Sequence, residues 1–350
     1  MHILDQILDG GLKSIAIVGM AKNVGKTVTL NHLIHASLQK GIRIGLTSIG
    51  RDGERFDALT ATDKPQIEVT RGTLFATAQQ AREKTGIRAQ VIADPEIKTI
   101  LGNVYIYQAQ EDGLVELVGP HSHSHLKRIN TLMGDKADLI LVDGAINRSS
   151  SAAPSITDGV ILSTGAVIGR NVETVVEKTL YQVGAFSLPQ VEDLKLRNIS
   201  KQIIEKYNGG LIGEKFGIKP VEIKTALAGV GRFVEAINED TRAMVLGGAL
   251  TDMFLRQLET EVGSIYDLKI IIRDGTRLFL KPRTFNQFLL RGGKIRVLKP
   301  INLLALTVNS TTPQGSQLDP DKLCRSMAQA VGNIPVHDLM LGKSIIGGEG

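Results

Sequence analysis

Apolar residues in this chain fall into two alternating patterns, short unbroken runs and stretches in which they recur every three or four positions. The first run, Ser14-Ile15-Ala16-Ile17-Val18, predicts a buried strand, and Leu30, Leu33, Ile34 and Leu38 predict a helix after it. Ile42 to Ile49 predicts a second strand, residues 73 to 85 a helix, and Ile87 to Ile92 another strand. Val104 to Tyr107 and Leu114 to Val118 flank Glu111-Asp112-Gly113, which predicts a hairpin. Asp138 to Gly144 and Gly159 to Thr164 predict two more buried strands, the second followed by a helix from Asn171.

Residues 186 to 220, punctuated by Pro189, Gly209-Gly210 and Pro220, read as a connector with a helix around Asn198 to Tyr207. Beyond it, strands are predicted at Ala243 to Leu246, Leu268 to Ile272, Arg277 to Leu280, Ile295 to Leu298 and Leu303 to Val308. Helices are predicted over Met253 to Leu258, Phe285 to Leu290 and Asp319 to Val331. The alternation predicts an α/β fold with a mainly parallel sheet flanked by helices. A length of 350 residues suits about two domains. The expected division is a main domain over 1–185, a connector over 186–220 and a smaller α/β domain over 221–350.

Between the first strand and its helix lies Gly19-Met20-Ala21-Lys22-Asn23-Val24-Gly25-Lys26-Thr27. Strand, glycine-containing loop and helix stand in the order that a phosphate-binding loop requires. There, backbone N–H groups and the positive end of the helix converge on a nucleotide's phosphates, a lysine adds a point charge near the β- and γ-phosphates, and a hydroxyl can ligate Mg²⁺. The candidate nucleotide-binding residues are Gly19, Lys22, Asn23, Val24, Gly25, Lys26, Thr27 and Val28. Met20 stands where the first glycine of the commoner, one-residue-shorter loop would be.

Asp138-Leu139-Ile140-Leu141-Val142-Asp143-Gly144 is a second signal, an apolar strand ending in an acid, the pattern whose carboxylate meets the Mg²⁺ shell. Thr27, Asp143 and Asp52 are the candidate metal ligands, and Lys26, Asp143 and Asp52 the candidate catalytic groups. Asp52 lies in Gly50 to Asp57, a polar loop after the second strand, where a solvated charged turn is the competing reading. His121, His123 and His125 alternate, which admits a Zn²⁺ site or a polar strand-to-helix loop. The strand ending Ser163-Thr164-Gly165-Ala166 offers hydroxyl and backbone groups and no carboxylate for guanine, so ATP is expected over GTP.

Charge narrows the function classes only slightly. Lys+Arg number 41 against 36 Asp+Glu, a net +5 that is spread along the chain, and Trp is absent, so a nucleic-acid surface is not expected. The first residues, Met1 to Asp9, lack the basic and apolar segments of a secretory signal, and no apolar stretch approaches the roughly 20 residues of a membrane span. The single cysteine, Cys324, fits a reducing cytoplasm.

The five residues between Gly19 and Gly25 make this loop similar to that of dethiobiotin synthetase and the cobyrinate amidases. Together with Thr47-Ser48-Ile49-Gly50-Arg51-Asp52-Gly53-Glu54 and Leu141-Val142-Asp143-Gly144-Ala145, it resembles the smaller-subunit family of the lysine 5,6-aminomutase reactivase. That resemblance implies a P-loop NTPase-type fold and an ATP- and Mg²⁺-dependent accessory protein. It also implies a MutS-like ATPase partner and an aminomutase that uses adenosylcobalamin and pyridoxal phosphate. Two alternatives stand beside it: a ligase of dethiobiotin synthetase type acting on a small carboxylate, and a nucleotide-binding subunit without turnover. Dethiobiotin synthetase carries Thr-Asp-Thr where this chain has Met20-Ala21-Lys22, and a lysine after the second strand where this chain has Ser48-Ile49-Gly50, which speaks against the ligase.

Overall fold

The computed structural model describes residues 3–49, 67–120, 122–145, 153, 156–221, 226–263, 265 and 267–346. The chain begins with α1 (Ile3–Asp9), β1 (Ser14–Gly19), α2 (Lys26–Gln39), β2 (Ile44–Ser48), β3 (Ile67–Val69), β4 (Leu74–Ala78), α3 (Gln79–Thr85), β5 (Ala89–Thr99), β6 (Gly102–Ala109) and β7 (Gly113–Val115). Next come α4 (His123–Gly134), β8 (Leu139–Ala145), β9 (Gly159–Gly165), α5 (Val172–Phe186), α6 (Leu194–Tyr207), β10 (Gly209–Gly213), β11 (Ile218–Pro220) and α7 (Ala226–Ala236). Then follow β12 (Thr241–Leu246), β13 (Leu250–Thr251), α8 (Asp252–Val262), β14 (Lys269–Ile272), β15 (Leu278–Phe279), α9 (Pro282–Leu290) and β16 (Lys294–Val297). The chain closes with β17 (Leu303–Asn309), α10 (Pro320–Val331), β18 (Val336–Asp338) and β19 (Lys343–Ile345).

Two compact units result, Met1–Leu180 together with Asn302–Gly350, and Tyr181–Ile301. This corrects the division read from the sequence. Residues 302 onward rejoin the first unit because β17 pairs in parallel with β9, from Leu303 opposite Val160 to Asn309 opposite Gly165. The stretch read as a connector is α6, β10 and β11 of the second unit.

The first unit is built on a ten-stranded sheet of order β19-β18-β17-β9-β1-β8-β2-β4-β6-β5. From β18 to β4 every pairing is parallel, and β19, β6 and β5 add antiparallel edges. All six residues of β1 are buried, as expected of a parallel strand covered on both faces. Ile15, Ile17, Ile44, Leu46, Leu139 and Leu141 share one core with Leu30, Leu33 and Ile34 of α2 and Ile3, Leu4 and Ile7 of α1. Each such fully buried aliphatic side chain contributes on the order of 1.5–3 kcal/mol. On the opposite face Gly45 admits α4, since a Cβ there would lie 2.7 Å from Met133 Cε.

Two local expectations fail. Residues 73 to 85 are a strand followed by a short helix, because Leu74 to Ala78 is buried throughout, and such a run satisfies helical spacing equally well. The hairpin partner of β6 is β5, joined through Ile100-Leu101, and β7 pairs with β3 instead. The Asp112 carboxylate accepts from Arg71 N at 2.8 Å, so this Asp-Gly turn is tied to the segment after β3.

The second unit has a five-stranded sheet of order β11-β10-β12-β14-β16, in which β12, β14 and β16 are parallel. Alternate residues face two cores. Met244, Leu246, Ile270 and Ile272 meet Phe233, Phe254, Leu258 and Phe288, whereas Ala243, Val245 and Ile271 meet Leu196, Ile203 and Ile204 of α6.

Candidate functional site

From β1 the chain moves through α2 toward β2 on one side, and from β9 it later moves to β17 and β18 on the other. The carboxyl end of β1 therefore lies where strand order reverses, the place where open α/β sheets bind ligands. Gly19-to-Gly25 occupies that end.

Its backbone depends on residues that tolerate left-handed conformation. Asn23 has φ 63° and Gly25 φ 93°, and interspersed left-handed residues of this kind build anion-binding concavities. Gly25 is the N-cap of α2 and supplies no side-chain cap, and no acidic residue stands in the first turn. The N-terminal N–H groups and positive helix end are thus uncompensated by their own helix. Val24 is 1% exposed and anchors the loop, whereas Lys22 and Asn23 are exposed and Thr27 and Val28 half-buried.

Lys26 turns back over the strand end. A Cβ at Gly19 would lie 2.6 Å from Lys26 Cγ and 2.9 Å from Val24 Cγ2, so the lysine stem occupies the space that a side chain at Gly19 would need. Its Nζ donates to Asp143 Oδ1 at 2.8 Å. Asp143 is buried on β8, opposite Ile17 of β1 and Ser48 of β2. The adjacency of β1 and β8 is what brings the two sequence signals together. Lysine ammonium, Thr27 in the first helical turn and a carboxylate therefore belong to one strand end.

Below the loop three hydroxyls lock α2 to the sheet. Thr29 Oγ1 lies 2.9 Å from Thr307 Oγ1 and 3.4 Å from Ser163 Oγ, and Thr307 donates to Ser163 at 2.8 Å. All three are buried. Thr164 pairs with Thr179 at 2.8 Å and is likewise buried. The hydroxyls of Ser163 and Thr164 are therefore engaged inside the fold.

Asn309 takes the place beside the loop that the sequence did not indicate. Its Nδ2 donates to the Asn23 carbonyl at 3.4 Å, and a Cβ on Gly25 would lie 3.4 Å from Asn309 Cβ. Gly165 permits this, since a Cβ there would meet the Asn309 carbonyl oxygen at 2.1 Å. The Val308-to-Pro313 stretch, assigned from sequence to the smaller domain, thus belongs to the loop's own surroundings. From the sequence that stretch reads as a loop after a strand, with ligand binding and a plain connection as the two alternatives.

Other candidates fare differently. Asp52 and His121 lie outside the described residues, while His123 and His125 are in the first turns of α4. Among the described residues no group of three His, Cys, Asp or Glu is placed to hold a metal. Cys324 is buried on α10, and burial pushes its thiol up to about 11, so it is protonated at neutral pH and is no thiolate nucleophile. Among the described residues no helix is long and apolar enough to cross a membrane.

No protein-family model, curated protein or solved structure matches the chain.

Proposed function

We propose that the chain is a P-loop protein that binds ATP and Mg²⁺ at the end of β1, and that it couples nucleotide binding or hydrolysis to reactivation of an adenosylcobalamin-dependent aminomutase. The observation that carries the nucleotide half is the Lys26 stem packed across Gly19 with its ammonium on Asp143. The donor set suits a polyphosphate: Gly25 takes the left-handed backbone at φ 93° that turns the loop into the helix, the α2 N-terminus has no side-chain cap, and Lys26 supplies the charge. Thr27 and Asp143 are hard oxygen donors of the kind Mg²⁺ takes. When bound, the metal–nucleotide pair supplies the phosphoanhydride whose cleavage powers the cycle. Lys26 would exchange the Asp143 carboxylate for phosphate oxygens, and the released Asp143 would turn to the metal's shell. The partner half is supported by the resemblance of the three quoted stretches, which implies a MutS-like ATPase and the aminomutase as partners.

Calorimetry with ATP and Mg²⁺ tests the first half. Lys26→Ala is expected to weaken binding at least about tenfold with the fold intact, because hydrogen bonds to charged groups contribute on the order of 1.5–3 kcal/mol. Equal affinity in that variant would remove the phosphate-loop assignment. Hydrolysis assays of the purified chain test the second half. Stimulation by an inactivated aminomutase supports reactivation, stimulation by a small carboxylic acid moves the assignment to a ligase, and binding without turnover moves it to a nucleotide-holding subunit.

A further inference from the structure

The second unit carries a groove that the nucleotide site does not use. α8 and α9 enclose a cavity of about 430 Å³, lined by Arg256 and Glu259 from the first helix, by Arg283, Gln287 and Phe288 from the second, and by Arg291 at its end. That volume falls in the range of small-molecule sites, about 300–1,000 Å³. Arg283, Gln287 and Arg291 follow at intervals of four, so they stack along one face of α9, and Arg256 comes from α8. Buried Phe288 supplies the apolar part of the wall, held where a Cβ on Gly293 would meet its ring at 2.3 Å.

Three guanidinium groups against one carboxylate line this groove. The contacts of Arg256 are long, to Asp252 at 3.4 Å and to the Thr284 hydroxyl at 3.3 Å, while Arg291 pairs with Glu259. Charge-assisted hydrogen bonds normally close to about 2.7–2.9 Å. Arg283 has neither an ion pair nor a hydrogen bond among the described residues. A solvated helix face intersperses acids with bases, whereas here like charges from two helices converge on one concavity, which favours an anion inside it.

The spacing and charge define the ligand class. Arg283 and Arg291 are separated along the helix by about 12 Å at 1.5 Å per residue, more than one phosphate spans. Guanidinium forks match phosphate oxygens in pairs. We propose that this groove binds a small organic polyanion with at least two phosphate groups, joined as a phosphoanhydride or carried apart as a bisphosphate, and that Arg283 is its principal contact.

The test uses the full chain carrying Lys26→Ala, so the loop at β1 contributes as little as possible and the outcome does not depend on whether that loop binds nucleotide. Inorganic pyrophosphate is titrated calorimetrically at fixed ionic strength, with citrate as a polycarboxylate of similar charge. Expected is one site that takes pyrophosphate at least about tenfold more tightly than citrate, equivalent to about 1.4 kcal/mol. Adding Arg283→Gln or Arg256→Gln is expected to weaken it at least about tenfold, with unchanged melting temperature, and Arg242→Gln, an exposed arginine paired with Glu214, to leave it unchanged. Absence of binding, equal or tighter binding of citrate, or full affinity in Arg283→Gln would each overturn the proposal.

Discussion

Asp143 sits 2.8 Å from Lys26, so replacing it removes both a proposed metal donor and the group that holds the lysine in place. Asp143→Asn keeps the shape and loses the charge. Turnover measured across Mg²⁺ concentrations is expected to fall more than about tenfold, while ATP affinity in EDTA rises, since no carboxylate then competes with phosphate for Lys26. Unchanged turnover would leave Asp143 as a strand residue that only positions Lys26. Base choice is the second residue-scale expectation. At this end of the sheet, Ser163 and Thr164 are engaged in buried hydroxyl pairs, and Asn309 donates to Asn23 while accepting from Thr311 N. On β18, which pairs with β17, the carboxylate is Asp338, 1% exposed, whose Oδ1 accepts from Met340 N and Leu341 N. With no exposed carboxylate among these groups to receive guanine's donors, competition binding is expected to favour ATP, a missing partner costing about 1–3 kcal/mol. A tenfold preference for GTP would contradict it. Lys26 and Asp143 were legible because each ends or follows an apolar run. Asn309 was not, because its neighbour Asn23 is 286 positions away.

At the scale of elements, β2 and β8 are stapled where they begin. Arg43 donates to Asp138 through Nη2 at 2.7 Å, Nε at 3.0 Å and its backbone N at 2.9 Å. The guanidinium hydrogen bonds hold the Asp138 carboxyl down to about 2, from its ordinary 3.8. A depressed folded value means that the carboxylate's stabilisation is present above 3.8 and is lost as pH falls through about 2. Melting temperatures recorded across that window are expected to fall more steeply in the native protein than in Asp138→Asn, whose curve lacks this titration. Parallel curves would show that the pair contributes nothing net, as exposed pairs often do. The same scale shows where pattern misleads. β4 is buried along its whole length, and an unbroken apolar run carries no period to separate strand from helix. The Ile100-Leu101 connection of β5 and β6 lacks turn-forming side chains and relies on Gly102 at φ 93°, whereas the conspicuous Asp112-Gly113 joins no hairpin.

For the whole molecule, β17 lies between β9 and β18, so a chain ending near residue 185 leaves the β9 edge unpaired. Expression of residues 1–185 is expected to give aggregated or poorly folded protein, and joining residues 302–346 through a flexible linker to restore a monomer. Residues 181–301, continuous and with their own cores, are expected to unfold cooperatively in urea when expressed alone. Size-exclusion chromatography and urea titration check both, and a stable monomeric 1–185 fragment would contradict the first. What the sequence by itself determined is local: the buried β1, the Gly25 turn, the α2 face, the apolar strand carrying Asp143 and the strand–helix alternation. These follow from periodicity and backbone chemistry within a few residues. Only the tertiary structure decided that β8 lies beside β1, that β17 returns across the second unit's 181–301 insertion, and that Asn309 meets the loop. Parallel strands pair through crossovers, so their partners are chosen by packing between distant segments, and no short-range pattern encodes that choice.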